Sequence, residues 1–273
     1  MLLPASAWYL FLLVIPLAIT VVFSFGTRAP AGGYESAFQF DNYAKITERV
    51  GPIGSTLQLA LLGTVLCVVL AVPFAYFLAT RAGRWKSLLI VLVIVPFWTS
   101  FLIRTYAWRT ILGSDGLAGG LEGLLGLGDV SILGTTWAIL LGLVYNYLPL
   151  VIFPVYVSME RLDRALGEAS KDLYAGRWRT FRQITLPLAA PGIVTGSLLV
   201  FIPMMGEYVV PAMLGRGRVF LIGNVLYLDF LDARNWPQGS AMAVVLILVM
   251  LVAVSAYLWF TSRGRTQREV SML

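Results

Sequence analysis

Six apolar stretches, at 5–25, 56–80, 88–106, 132–157, 188–213 and 239–260, are each long enough to cross about 30 Å of hydrocarbon as a helix. No other feature restricts the fold of this 273-residue chain as strongly. Lipid offers no partner for backbone N–H and C=O groups, so each stretch must pair them internally and is predicted to be helical. The runs are continuous rather than alternating, which excludes a β-barrel. Composition agrees: 59% of residues are hydrophobic and 12% charged, about half the charged fraction of a soluble domain. The expected fold class is an all-α membrane protein with six transmembrane helices.

The basic residues orient these spans. With the N-terminus inside, the segments 81–87, 158–187 and the tail from Thr261 face the cytoplasm, as do both termini. They carry Arg81, Arg84, Lys86, Arg161, Arg164, Lys171, Arg177, Arg179, Arg182, Arg263, Arg265 and Arg268, twelve of the 20 Lys and Arg. Positive-inside topology thus accounts for the net charge of +6. A nucleic-acid role would need a basic face on a soluble domain, and none is visible. No Lys or Arg precedes the first stretch, which raises a secretory signal peptide as an alternative. The run is longer than the 7–15 apolar residues usual there and contains Pro4 and Pro16, so a retained helix is expected.

The residue inventory removes most chemistry. Cys67 is the only cysteine and there is no histidine, which excludes an intramolecular disulfide, a thiolate metal site and imidazole catalysis. The lysines, Lys45, Lys86 and Lys171, lie in no G-x-x-x-x-G-K-[ST] loop. No nucleophile–base pair or metal-ligand cluster appears, so the chain is read as a non-enzyme, and nucleotide energy must come from another subunit.

No long linker interrupts the chain, and 1–273 is read as one membrane domain. It comprises a first helix and outer segment at 1–55, a core at 56–262 containing a loop at 159–187, and a tail at 263–273. Outer segments fall at 26–55, 113–129 and 216–238. The first carries Phe38-Gln39-Phe40-Asp41-Asn42-Tyr43, expected to pack at the outer interface. The second is glycine-rich, with Asp115, Glu122 and Asp129. Within the third, 220–231 is apolar but too short to span, which predicts a short re-entrant or interfacial helix. Pro73, Pro96, Pro149, Pro154, Pro203 and Pro211 permit kinks. Gly192 and Gly196 form a GxxxG pair that allows close helix approach.

A charged island stands apart from the apolar runs: Glu168-Ala169-Ser170-Lys171-Asp172-Leu173, continuing to Ile184-Thr185-Leu186-Pro187. Leu162, Leu166, Ala169 and Leu173 fall on one stripe of a helix. Tyr174-Ala175-Gly176 interrupts it, and Trp178, Phe181 and Ile184 begin a second stripe. The pattern predicts a helix–turn–helix along the cytoplasmic face. On periodicity alone it reads equally well as a solvated connector or a membrane-surface helix.

This island resembles the signature loop of ABC importer permeases, which reads Glu-Ala-Ala, a glycine four residues on, and then Ile-x-Leu-Pro. Glu168-Ala169-Ser170 begins the match and Ile184-x-Leu186-Pro187 closes it. Ser170 replaces the second alanine. Tyr174 stands where the family has glycine, and Gly176, two residues on, is expected to supply the turn instead. Pro96-Phe97-Trp98-Thr99, Leu102-Ile103-Arg104-Thr105-Tyr106, Gly142-Leu143-Val144-Tyr145, Leu148-Pro149, Leu221-Ile222-Gly223-Asn224-Val225 and Asn235-Trp236-Pro237 extend the likeness to the spermidine/putrescine branch. Permeases for opines and other organic solutes carry similar stretches. The resemblance implies a type I importer permease in a bacterial inner membrane. It implies that Glu168 through Gly176 couple to an ATPase: Glu168, Ala169, Ser170, Lys171, Asp172, Leu173, Tyr174, Ala175 and Gly176. It also implies a second permease chain, two ATPase subunits holding ATP and Mg²⁺, and an extracytoplasmic binding protein.

Two charges lie within predicted spans, where a charge at the centre costs roughly 2.5–3.5 kcal/mol. Arg104 is 18 residues beyond Lys86 and Glu207 is 20 beyond Pro187. In straight helices both sit roughly 27–30 Å from the inner face, at a depth where they can pair. Glu207 reads either as that partner or as a counter-charge for a cationic substrate. Asn146, flanked by Tyr145 and Tyr147, reads as a cargo contact or a helix–helix hydrogen bond. Trp98, Tyr106, Tyr145 and Tyr208 are further candidates through cation–π attraction. Asp229 and Asp232 fit a solvated loop, or a surface that attracts cations or docks a delivery protein. A self-sufficient channel or secondary transporter is the rival reading, with Arg104 and Glu207 in an ion relay.

Overall fold

The computed structural model describes residues 8–117, 119–120 and 132–270, leaving aside the side chains of Arg164 and 262–270. Glu122 and Asp129 of the second outer segment, and the first residues of the 5–25 stretch, lie outside the described residues. In chain order the elements are α1 (Leu10–Ser24), the two-stranded hairpin β1 (Thr27–Arg28) and β2 (Tyr34–Glu35), α2 (Val50–Thr80), α3 (Lys86–Trp98), α4 (Phe101–Ile111), α5 (Thr136–Glu160), α6 (Arg164–Asp172), α7 (Arg177–Leu188), α8 (Ala190–Met205), α9 (Val209–Leu214), α10 (Ile222–Tyr227) and α11 (Trp236–Val270).

The apolar stretches are helical, but among the described residues only three are uninterrupted spans, and the first stretch contributes the shorter helix α1. Asp41–Thr80, Thr136–Glu160 and Trp236–Thr261 are each long and apolar enough to cross a bilayer. The third and fifth stretches are broken. α3 and α4 meet at 93°, and α7 and α8 at 64°. At the first break Thr99 and Ser100 are extended. The N–H of Thr99 and its hydroxyl both donate to the Pro96 carbonyl, at 3.2 and 2.6 Å, and so close the helix end. The depth expected for Arg104 and Glu207 requires straight helices, since a rise of 1.5 Å per residue holds only along one axis, and both of these stretches are bent. Glu207 is not helical at all: it lies in the gap between α8 and α9.

The chain forms two compact units. The first runs to Leu57 and adds Met205–Tyr208 and the residues from Phe220 onward. In it α1 packs along α11, with Phe23 stacked on Tyr34 at 4.2 Å and facing Trp236 at 6.3 Å. The hairpin pairs Thr27 with Glu35 and Arg28 with Tyr34. The aromatics expected at the outer interface do cluster: Phe25 meets Phe38, Phe40 and Tyr43 at 5.2–5.5 Å. Asn42 ties the segment down by donating to the carbonyls of Ser24 and Gly26, both at 2.9 Å. Ile46, Ile222, Val225, Ala241 and Met242 form a buried core. The short helix expected within 220–231 is α10, continued by a wider turn at Leu228–Asp232.

The second unit comprises Gln58–Met204 and Val209–Val219. It is built around α5, where Ala138, Ile139, Leu143, Val151 and Val155 are all buried. α3, α4 and α9 pack against that helix. Gly142 admits Val210 and Leu214 of α9: a Cβ there would stand 2.6 Å from a Leu214 methyl. The GxxxG pair works as expected, with Gly192 against Pro154 and Ser158 and Gly196 against Val151. Cys67 is a fully buried packing residue.

Candidate functional site

The charged island folds as α6, a turn and α7. Asp163 caps α6, its carboxylate accepting from Ala165 N–H at 2.9 Å. The helix closes with a paired motif: Tyr174 N–H donates to Lys171 C=O (2.8 Å) and Ala175 N–H to Ser170 C=O (3.0 Å). That closure requires a left-handed residue at the position after the cap, and Tyr174 takes it at φ 55°. Gly176, expected to supply the turn, is instead extended at φ −67° and ψ 159°. The requirement is set by the hydrogen-bond pattern at the helix end, so it falls on whichever residue stands there.

The apolar stripe also differs from its periodicity. Leu162 precedes the cap and Leu173 follows the helix, so α6 carries only Leu166 and Ala169 of the four, both exposed. Among its described side chains the buried one is Ser170, whose Oγ lies 2.7 Å from Thr180 Oγ1 and pins α6 to α7. Substitution of the second alanine by serine therefore adds a hydrogen bond between the two helices. Leu173, Tyr174 and Trp178 project at 80%, 98% and 71% exposure. Glu168, Lys171 and Asp172 are exposed, and Glu168 and Lys171 line a cavity of about 460 Å³ with Tyr76, Glu160, Arg177 and Thr180. Phe181 anchors the far end by an edge-on contact to Tyr76 at 5.0 Å. Lys86 donates to Glu160 at 2.5 Å, which holds its ammonium above the ordinary lysine value.

The membrane candidates are divided between the two units. In the second unit, Arg104 is buried on α4 with its guanidinium 5.3 Å from the Phe97 ring centre and 5.9 Å from that of Phe101. Its Nε has no hydrogen-bond partner among the described residues. Asn146, 1% exposed on α5, donates to Gly142 C=O at 2.9 Å and reaches Thr105 Oγ1 at 3.4 Å. The helix–helix hydrogen bond is thus present, yet Oδ1 accepts nothing among the described residues. Tyr145 meets Trp108 edge-on at 5.4 Å. Trp98 and Tyr106 are exposed, at the end of α3 and along α4. In the first unit, Glu207 is 7% exposed and Tyr208 half-exposed beside it.

A family model described as binding-protein-dependent transport system inner membrane component matches residues 65–265. The chain belongs to this family. It is similar to the spermidine/putrescine transport system permease protein PotB of Salmonella typhimurium (strain LT2), 39% identical over 262 residues covering 94% of this chain and 90% of that one. PotB of Escherichia coli (strain K12) is 38% identical, covering 94% of each chain. The molybdenum transport permease ModB of Azotobacter vinelandii is 32% identical over 74% of this chain and 89% of that one. Among solved structures, a bacterial ABC transporter involved in alginate import superposes with a TM-score of 0.77 at 19% identity, covering 96% of this chain and 94% of that one. The methionine transporter MetNI gives 0.58 at 18%, covering 78% and 93%. The fold is that of a type I ABC importer permease, and the protein is a transport subunit of a bacterial inner membrane.

The contacts of some residues of this permease gave no signal in its sequence. Asp229, read as part of a solvated loop or a cation-attracting surface, is buried and paired with Arg49 at 2.6 Å. The two lie 180 positions apart, so only tertiary contact joins them. Asp232, by contrast, is exposed. Thr105, fully buried beside Arg104, contacts Asn146. Asn224 and Tyr227 of α10 both contact Tyr208, and 220–231 carried no charge pattern pointing to them before Asp229.

Proposed function

We propose that this permease passes a polyamine, of the spermidine or putrescine kind, from an extracytoplasmic binding protein to the cytoplasm, driven by ATP. The observation that carries the reading is 38–39% identity, over 94% of the chain, to permeases named for those two compounds. The α6–α7 loop is the power input. It exposes the large side chains of Leu173, Tyr174 and Trp178 within six positions, a surface suited to docking a soluble subunit. The Ser170–Thr180 bond makes the loop a rigid lever. The partners are a second, similar permease chain and two ATPase subunits, which hold ATP and Mg²⁺. The loop and both termini face the cytoplasm.

Cargo recognition falls to polar and aromatic groups in each unit. Asn146 Oδ1 is a buried acceptor with no partner among the described residues, the kind of atom an ammonium donor satisfies. Glu207 supplies negative charge, and Trp98, Tyr106, Tyr145 and Tyr208 present ring faces to a cation.

The test uses the complete importer in proteoliposomes with labelled spermidine. Glu168→Lys should leave insertion and subunit assembly intact and abolish ATP-driven uptake. Unchanged uptake in that variant, or ATP-independent uptake by this chain alone, would overturn the reading.

A further inference from the structure

Helix α8 stops at Met205 and α9 starts at Val209, which leaves 206–208 unwound inside an apolar run. Unwound backbone persists at membrane depth only where protein or a water-lined cavity satisfies it. In secondary carriers, such breaks mark the place where cargo binds. The first unit satisfies this one through α10. Asn224 donates from Nδ2 to the Tyr208 carbonyl at 3.0 Å, while its Oδ1 accepts from Leu221 N–H at 3.3 Å. The side chain is therefore fixed at both ends. Gly223 lets the two backbones touch, since a Cβ there would stand 2.6 Å from the Glu207 carbonyl oxygen. One turn further, Tyr227 stacks on Tyr208 with ring centres 5.5 Å apart and planes 18° from parallel.

Rings that served only as core would be buried. These two are 43% and 44% exposed, next in sequence to the buried carboxylate of Glu207. Each stacked ring keeps an outer face with its negative quadrupole open to a cation. We propose that Tyr227 is a cargo-contacting residue: with Tyr208 it forms an aromatic pair that receives an organic ammonium group, and Asn224 is the positioning residue that holds the pair at the helix break. The inference rests on the cationic-cargo reading above, and it assigns α10 a part in specificity.

The experiment uses the complete importer in proteoliposomes and reads two quantities, spermidine transported per ATP hydrolysed and ATP turnover stimulated by the loaded binding protein. Tyr227→Leu should lower the first roughly tenfold, the size of a partly desolvated cation–π contact, and leave the second unchanged. Tyr227→Phe should match the parent in both, because it keeps the ring face and removes only the hydroxyl. Asn224→Asp keeps the acceptor for Leu221 and removes the donor to Tyr208, so it should lower the transport ratio in the same direction. Three results would overturn the proposal: a parental ratio in Tyr227→Leu, equal impairment in Tyr227→Phe, or a loss of ATP turnover and complex yield in step with transport. If the parent importer takes up neither spermidine nor putrescine, the cargo reading itself fails and the inference falls with it.

Discussion

Tyr174 shows how a single backbone angle overrides side-chain preference. At φ 55° it holds the left-handed position that closes α6, where a non-glycine residue costs roughly 1–2 kcal/mol. Replacement by glycine removes that strain but adds unfolded-state freedom, so Tyr174→Gly should stabilise the loop by up to about 1 kcal/mol. Slower hydrogen exchange across 164–176 would report it, and faster exchange would refute it. Asp229 is the second telling residue. Burial pushes its carboxyl above the usual carboxylate range, while the hydrogen bond from Arg49 opposes that shift. The folded state therefore binds this proton more tightly than the unfolded chain. Its contribution is present at low pH and fades as pH rises from the ordinary carboxylate value through the raised one. Arg49→Met removes the opposing charge, so the window widens upward. The change should cost about 1–2 kcal/mol at neutral pH, below the ~3–5 of a fully buried pair because Arg49 is 37% exposed. Part of that loss should return at acid pH, where the carboxyl protonates. Thermal unfolding at the two pH values checks both signs.

At the scale of elements, helices meet where small residues allow it and break where side chains compete with the backbone. Gly192 lies against the Pro154 carbonyl and Ser158, so α5 and α8 approach closely. Gly192→Ala should force them apart at about 1–3 kcal/mol, visible as a lower melting temperature. Gly167, in α6, has open space around it, so the same substitution there should instead stabilise by about 0.5–1 kcal/mol. If both variants shifted alike, helix propensity rather than contact would be the dominant effect. Ser170→Ala should free α6 from α7 by removing the bond to Thr180, and the expected readout is reduced uptake per ATP with little loss of yield.

At the scale of the whole molecule, the proposed cation path predicts that Glu207→Gln will lower spermidine uptake by roughly tenfold or more. Subunit assembly and ATP turnover should remain, and parental uptake would remove Glu207 from the path. The six apolar runs and the island between the fourth and fifth of them were legible in the chain. Each depends on run length, charge and local motif, which are properties of neighbouring residues. The GxxxG contact and the short helix α10 were legible for the same reason. The bends between α3 and α4 and between α7 and α8 were not, because proline permits a kink without stating where or how far the axis turns. Nor were the Arg49–Asp229 pair, the burial of Ser170 or the Tyr208–Tyr227 stack, since each joins residues whose proximity exists only after folding. Thus the bilayer's demand for internally paired backbone settles the class of fold from the residues alone. Which polar groups stay buried, and which of them are left to meet a cargo, is decided by the packing of helices that the linear pattern leaves open.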